Sequence, residues 1–176
     1  MRQFPTKDGR YVNIFRPKAE EAEKILSLMQ RIGGETDFLL IDAGGIRISV
    51  EDERDFLDDM YESVDSALFA VSLDGEIVGS CSVNFHRNKR TNHVASIGIS
   101  LLREGWGIGI GRAMMETMIS HARRAGAHKL ELEVRADNER AIALYEKVGF
   151  SICGRSRDHL CINGEYFDEL TMELML

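Results

Sequence analysis

Four glycines within seven residues, Gly105, Gly107, Gly109 and Gly111, restrict this chain more than any other feature. They stand between an apolar, β-branched run, Ile97-Gly98-Ile99-Ser100-Leu101, and an amphipathic run that opens on Arg112-Ala113-Met114-Met115, so the order is strand, glycine loop, helix. The first turn of a helix carries backbone N–H groups without intrahelical partners, at the positive end of the aligned peptide dipoles. Glycines let a bulky anion reach those amides. A tight turn needs only one or two glycines, so the stretch predicts an anion site.

Spacing decides which anion sites are excluded. The Gly-x-x-x-x-Gly-Lys-Ser/Thr loop requires a lysine and a hydroxyl after its last glycine, whereas Arg112 and Ala113 follow Gly111. The dinucleotide pattern Gly-x-Gly-x-x-Gly fails from every start, because Ile110, Arg112 and Met114 stand where its third glycine belongs. Glu131 is placed to mimic a ribose-binding acid but is a weak signal alone. A nucleoside triphosphatase is disfavoured, and a nucleotide-dependent oxidoreductase is the least supported of the readings carried forward.

Composition sets the frame for the rest. The chain has 176 residues, 44% hydrophobic and 29% charged, which predicts a single globular domain over residues 1–176. A net charge of −7 argues against nonspecific nucleic-acid binding, which depends on clustered lysine and arginine, and is compatible with a cationic substrate. No apolar run approaches the roughly 18 to 20 residues of a membrane span, and Met1–Asp8 lacks the apolar core of a signal peptide. A cytoplasmic location without membrane partners is expected. Cys81, Cys153 and Cys161 lack metal-ligand spacing, so buried reduced thiols and no metal are expected.

Taken in order, Tyr11 to Arg16 alternates as an opening strand and Pro17 ends it. Ala22, Ile25, Leu26, Met29 and Ile32 predict a one-faced helix from Ala19 to Ile32, stopped by Gly33-Gly34. Residues 35–48 have no period but carry Phe38-Leu39-Leu40-Ile41, which reads as a loop with an apolar anchor, placed to flank a pocket. Ser49 is a candidate N-cap for a helix with Phe56, Leu57, Met60, Tyr61 and Val64 on one side and many acids on a solvated face. Ser66–Leu73 and Glu76–Phe85 form a hairpin around Asp74-Gly75, and His93–Leu101 feeds the glycine loop.

The helix after the loop is expected over Gly109–Ala125, with Ile110, Ala113, Met114, Thr117, Met118, Ala122 and Ala125 as its stripe and Gly126 as its stop. Its methionines pack a core. Lys129–Arg135 alternates as a strand, Asp137 or Asn138 caps a helix that ends at Gly149, and Asn163-Gly164 turns a final hairpin.

Two segments together carry a family resemblance. Trp106-Gly107-Ile108-Gly109-Ile110-Gly111 looks like the Gln/Arg-x-x-Gly-x-Gly/Ala acyl-CoA loop of the GNAT N-acetyltransferases, and Asn138 to Phe150 is similar to that family's Asn-x-x-Ala-x-x-Leu-Tyr-x-x-x-Gly-Phe signature. The two lie one helix and one strand apart, as that fold requires, and Phe15-Arg16-Pro17 before a helix agrees. Trp106 departs from the usual first residue. The resemblance implies an α/β (α+β) fold: a central mixed, mostly antiparallel sheet of about seven strands flanked by about four helices.

It also implies acetyl transfer from acetyl-CoA to a primary amine of a small molecule, amino acid, polyamine or protein N-terminus, with no covalent enzyme intermediate. The alternative is a noncatalytic acyl-CoA-binding or sensing module, and a homodimer is allowed. For the cofactor the resemblance implies main-chain groups of Ile99, Ser100 and Leu101 and the loop Trp106, Gly107, Ile108, Gly109, Ile110, Gly111 and Arg112, with Asn138 and Ala141 beyond. Tyr145 matches the general-acid position, since a phenol stays protonated at neutral pH; on periodicity alone it reads as helix packing. Arg112 alternatively reads as an exposed helical arginine, and Asn138 as a plain N-cap. His93 and Glu133 are the candidates for the base.

Overall fold

The computed structural model describes residues 2–176. Eight strands form one sheet: β1 (Arg2–Pro5), β2 (Tyr11–Phe15), β3 (Ala67–Leu73), β4 (Glu76–Phe85), β5 (Val94–Leu101), β6 (Lys129–Arg135), β7 (Ser151–Ile162) and β8 (Glu165–Met175), in the spatial order β1-β2-β3-β4-β5-β6-β8-β7. Four helices flank it: α1 (Ala22–Glu35), α2 (Val50–Glu62), α3 (Ile110–Arg124) and α4 (Glu139–Lys147). The strand beyond the expected seven is β1, a four-residue edge strand that includes Pro5. Proline cannot donate to a ladder, so it survives only at an edge and hides the strand from pattern reading.

Both short turns have the backbone that a two-residue hairpin needs. Asp74 and Gly75 have φ of 52° and 92°, and Asn163 and Gly164 have φ of 53° and 85°, matching the right-handed twist of the strands they join. The one parallel contact decides the function of the fold. β5 pairs antiparallel with β4 along its length, from Phe85↔Ala95 to Gly79↔Leu101. With β6 it pairs only at Val94↔Lys129, Ala95↔Leu130 and Ser96↔Glu131. Beyond Ser96 the two strands part, while β6 stays paired to β8 as far as Arg135↔Glu169. The sheet is therefore split open from Ile97 onward.

Helix α3 is the main core helix. Ile110, Ala113, Met114, Met115, Thr117, Met118 and Ala122 are all buried, and Thr117 Oγ1 donates to the Ala113 carbonyl at 2.8 Å. Helix α1 runs three residues past its expected end, because Gly33 and Gly34 continue it. A Cβ on Gly33 would lie 1.9 Å from the Asp42 carbonyl oxygen, so this glycine lets the following loop pack on the helix rather than stopping it. Its buried face uses Leu28 where Leu26 was expected.

Helix α2 has the expected Ser49 cap, which accepts from the Asp52 amide at 3.0 Å. It buries Glu53, Leu57 and Met60, whereas Phe56, Tyr61 and Val64 are exposed, so its apolar stripe is narrower than the sequence suggests. The three cysteines are free; Cys81 is buried, but Cys153 and Cys161 lie exposed on β7, against expectation, because this outer strand has no neighbour beyond it. Among the described residues no helix is long and apolar enough to cross a membrane.

Candidate active site

The opening between β5 and β6 is occupied by two cavities that share Phe38, Leu39 and Ile99 as a common wall. The larger, about 770 Å³, runs along the glycine loop to α4. The smaller, about 530 Å³, lies over β4, β5, β6 and β8. Loop residues 36–49, between α1 and α2, supply the shared wall, as the apolar anchor at Phe38–Ile41 led one to expect.

In the larger cavity each glycine of the loop has its own reason. Gly107 and Gly109 have φ of 78° and 99°, a left-handed backbone that other residues adopt only with strain. Gly109 is also the N-cap of α3. Gly105 and Gly111 sit in close quarters: a Cβ would meet Leu101 Cδ1 at 2.8 Å in the first case and Leu144 Cδ2 at 3.0 Å in the second, so those leucine side chains would have to shift. The result is a run of amides, from Gly107 to Arg112, that donate to no acceptor among the described residues. The first bond of α3 is from the Ala113 amide to the Gly109 carbonyl, 3.2 Å. These amides converge at a helix N-terminus and suit a phosphate group.

Trp106 closes one flank. Its Nε1 donates to the Leu101 carbonyl at 2.9 Å, and the guanidinium of Arg140 lies 4.5 Å from its ring centre. That carbonyl, expected to face a cofactor, is thus partly taken by the indole. Ser100, expected to contribute main-chain groups, lines the smaller cavity, and its hydroxyl lies 3.0 Å from that of Ser80. Ile110 is fully buried and Ile108 partly so, leaving only their main chain to the loop's concave side. Arg112 is exposed and ion-paired to Glu116 at 2.8 Å, the arrangement of an ordinary helical arginine.

Asn138 caps α4, accepting from the Ala141 amide at 3.2 Å, and both residues line the larger cavity. Tyr145 lines it too, although the residue is only 6% exposed. Burial pushes its phenol up to about 12, so the group stays protonated, and its hydroxyl has no hydrogen-bond partner among the described residues. The rings of Tyr145 and Phe150 meet at a tilt of 56°, their centres 6.3 Å apart. The phenol is thus a protonated donor in the cavity wall with no protein partner among the described residues.

The smaller cavity is lined by the polar face of the split sheet. Glu131, Glu133 and Arg135 alternate along β6, with Glu169 and Thr171 beside them on β8. Burial, and then the charge of Glu133, push the Glu169 carboxyl above its ordinary value, and His159 at 3.2 Å opposes this. Glu131 has His86 at 3.1 Å and Lys129 at 3.2 Å. Glu133 is exposed to the cavity. His93 is not in either cavity: it lies exposed at the closed end of β5, its carbonyl accepting from the His128 and Lys129 amides and its ring 6.1 Å from His128.

Arg135 ties the two cavities together. Its buried guanidinium bonds Asp137 through Nε at 2.6 Å and the Asp37 carbonyl at 3.1 Å, and is sandwiched between Phe38 and Phe167, each 4.2 Å away. Arg135, Glu169 and Phe38 were not singled out from the sequence. Only Phe38 had a signal, the apolar anchor; the rest depend on which strands become neighbours.

A sheet split after a short parallel contact, with a bare amide loop at one lip, offers room between two strands and donors suited to a phosphate group. The chain belongs to the acetyltransferase (GNAT) family, whose model matches residues 39–150. It is 34% identical over 101 residues to the L-amino acid N-acetyltransferase AaaT of Escherichia coli K12, covering 57% of this chain and 62% of that one. It is 51% identical over 43 residues to the [ribosomal protein bS18]-alanine N-acetyltransferase of the same strain, 24% of this chain and 29% of the relative. The matches thus span less than two thirds of these curated relatives. The structure of a GNAT-family acetyltransferase from Streptococcus pneumoniae superposes with a TM-score of 0.90 at 27% identity, covering 94% of this chain and 99% of that one.

Proposed function

We propose that this chain, a single domain over residues 1–176, transfers the acetyl group of acetyl-CoA to a primary amine. The observation that carries the reading is the pairing of six unengaged loop amides with the unpartnered phenol of Tyr145 along one continuous cleft. The amides and the dipole of α3 hold the diphosphate. The pantetheine arm lies along the open edge of β5 near Ile99, with the Asn138 side chain and α4 opposite.

The acetyl carbonyl then faces the smaller cavity, where the neutral amine enters. A C–N bond forms as the C–S bond breaks; Tyr145 donates to the departing thiolate, and Glu133, directly or through water, takes the proton lost by the amine. Most of the acceleration comes from holding both reactants in line. Relatives named for amino acids and for a ribosomal-protein alanine support an acceptor with an α-amine, on a small molecule or a peptide. The carboxylates of Glu131, Glu133 and Glu169 favour a cationic acceptor over an acidic one.

The test is a thermal-shift and thiol-release assay with acetyl-CoA and a panel of amino acids, polyamines and peptides. Stabilisation by acetyl-CoA together with amine-dependent thiol release is expected. Tight binding without transfer to any amine would favour the noncatalytic sensing module instead, and stabilisation by NAD or NADP but not acetyl-CoA would refute the reading.

A further inference from the structure

The turn between β1 and β2, residues 6–10, lies against the glycine loop, and the Lys7 amide donates to the Ile108 carbonyl at 2.9 Å. We infer that Lys7 is a ligand of the 5′-diphosphate of the acyl-CoA donor, so that the amino-terminal hairpin forms part of the donor site; the inference rests on the donor reading above. The side chain of Lys7 lines the same cavity as Gly107 and Gly109. Its Cγ lies 4.0 Å from the point where a Cβ on Gly109 would stand, and the rest of its flexible stem extends beyond.

The turn is rigid enough to place that stem. The Thr6 amide donates to the Arg10 carbonyl at 2.8 Å, the Thr6 hydroxyl donates to the Asp8 carboxylate at 2.5 Å, and the Gly9 amide donates to the Thr6 carbonyl at 3.1 Å. The neighbouring charges are already engaged. Arg10 donates to Asp8 at 2.7 and 3.0 Å and to Asp74 at 3.0 Å; the bonds from Arg10, and then the one from the Thr6 hydroxyl, hold the Asp8 carboxyl down to about 2. Asp8 is thus already paired with Arg10, and the Lys7 ammonium has no ion-pair partner among the described residues.

Of the other cations around the loop Arg112 is engaged elsewhere, whereas Arg140 and Lys147 also line the cavity; Lys7 differs from both in being tied to the loop by its own amide, at Ile108. Arg112 pairs with Glu116, and the guanidinium groups of Arg140 and Arg103 lie over Trp106 at 4.5 and 5.7 Å. A helix terminus supplies about half a positive charge, whereas a diphosphate diester carries about two negative ones. In a chain of net charge −7 the difference calls for a local cation. A lysine ammonium, a compact point charge on a flexible stem, can follow either phosphate of the pair.

Trp106 is the single tryptophan and lines this cavity, so its fluorescence reports binding directly in the full chain. Titrations of the wild type, Lys7→Gln and Lys7→Arg with CoA, 3′-dephospho-CoA and pantetheine test the inference. Lys7→Gln is expected to weaken CoA and 3′-dephospho-CoA equally, by about five- to tenfold, and to leave pantetheine unchanged. Lys7→Arg should stay within about twofold of wild type, and added salt should shrink the difference. The side chain is exposed, so both variants should melt as the wild type does. Unchanged CoA affinity in Lys7→Gln overturns the inference while leaving the donor reading intact. A loss seen with CoA but not with 3′-dephospho-CoA overturns it as well, by moving the contact to the 3′-phosphate. If the wild type binds CoA no better than pantetheine, the donor reading falls and the role of Lys7 falls with it.

Discussion

Replacing Tyr145 by phenylalanine removes one oxygen from the wall of the cleft, and the structure sets the size of the effect. The hydroxyl has no protein partner, so its loss should change folding stability by less than about 0.5 kcal/mol. Its proton is held with a pKa of about 12, whereas an ordinary thiol lies near 8.5, so complete transfer to a thiolate is uphill by roughly 5 kcal/mol. On the proposed mechanism Tyr145 is therefore expected to serve as a hydrogen-bond donor to the charge developing on sulfur more than as a full acid. A hydrogen bond to a charged group is worth about 1.5–3 kcal/mol, which corresponds to a rate loss of about 10- to 150-fold.

The assay is steady-state thiol release with the best amine from the panel, alongside CoA titration through Trp106. Tyr145→Phe should lower kcat within that range, change CoA affinity by less than about twofold, and leave the melting temperature in place. The wild-type pH profile should show no loss of a donor below about pH 10, because a group held near 12 remains protonated there. An unchanged kcat would refute the donor role. A loss of several thousandfold accompanied by a lower melting temperature would refute the reasoning from a different side, by showing that the hydroxyl supports the fold.

Three further outcomes follow from packing and charge. Gly109→Ala meets no backbone within contact distance but must hold φ near 99°, which costs about 1–2 kcal/mol, so it should lower the melting temperature or distort the loop and weaken CoA binding. Glu53→Gln should raise the melting temperature by about 2–4 °C at pH 7, measured by calorimetry. Burial raises the Glu53 carboxyl above its ordinary 4.5, so its contribution favours the folded state fully below that value and is lost as pH rises through the folded-state pKa; the advantage of the glutamine should vanish near pH 4. Arg135→Met removes two ring contacts and the bonds to Asp37 and Asp137, for about 2–3 kcal/mol of stability by denaturant unfolding. It should also raise KM for the amine, because Phe38 loses its seat. Arg135→Lys should recover only part of this, since an ammonium lacks the planar fork.

Much was legible from local pattern because local physics dictates it. The left-handed turns at Asp74-Gly75 and Asn163-Gly164, the Ser49 and Asn138 caps and the stripe of α3 are short-range requirements, and each is present where the letters place it. The glycine loop and the segment from Asn138 to Phe150 were enough to imply the family, since both are read from contiguous residues. Local pattern failed where an element is decided by its neighbours. Gly33-Gly34 reads as a helix stop until the Asp42 carbonyl is packed against it, Glu53 reads as a solvated acid until α2 is docked, and β1 is too short and proline-bearing to announce itself.

The sequence by itself determined the donor end of this protein. A loop of backbone amides needs only glycines at the right spacing before a helix, and Tyr145 follows from the signature it sits in. Only the tertiary structure decided the acceptor end and the charges around the donor. Where β5 leaves β6 after Ser96 is a property of two strands and the crossover between them. That parting opens the cleft and leaves His93 outside it, while the β6–β8 ladder sets Arg135 opposite Glu169 and the loop after α1 seats Phe38 on Arg135. Lys7 reaches the loop because a hairpin at the start of the chain bonds to Ile108 far along it, a contact that no local pattern encodes.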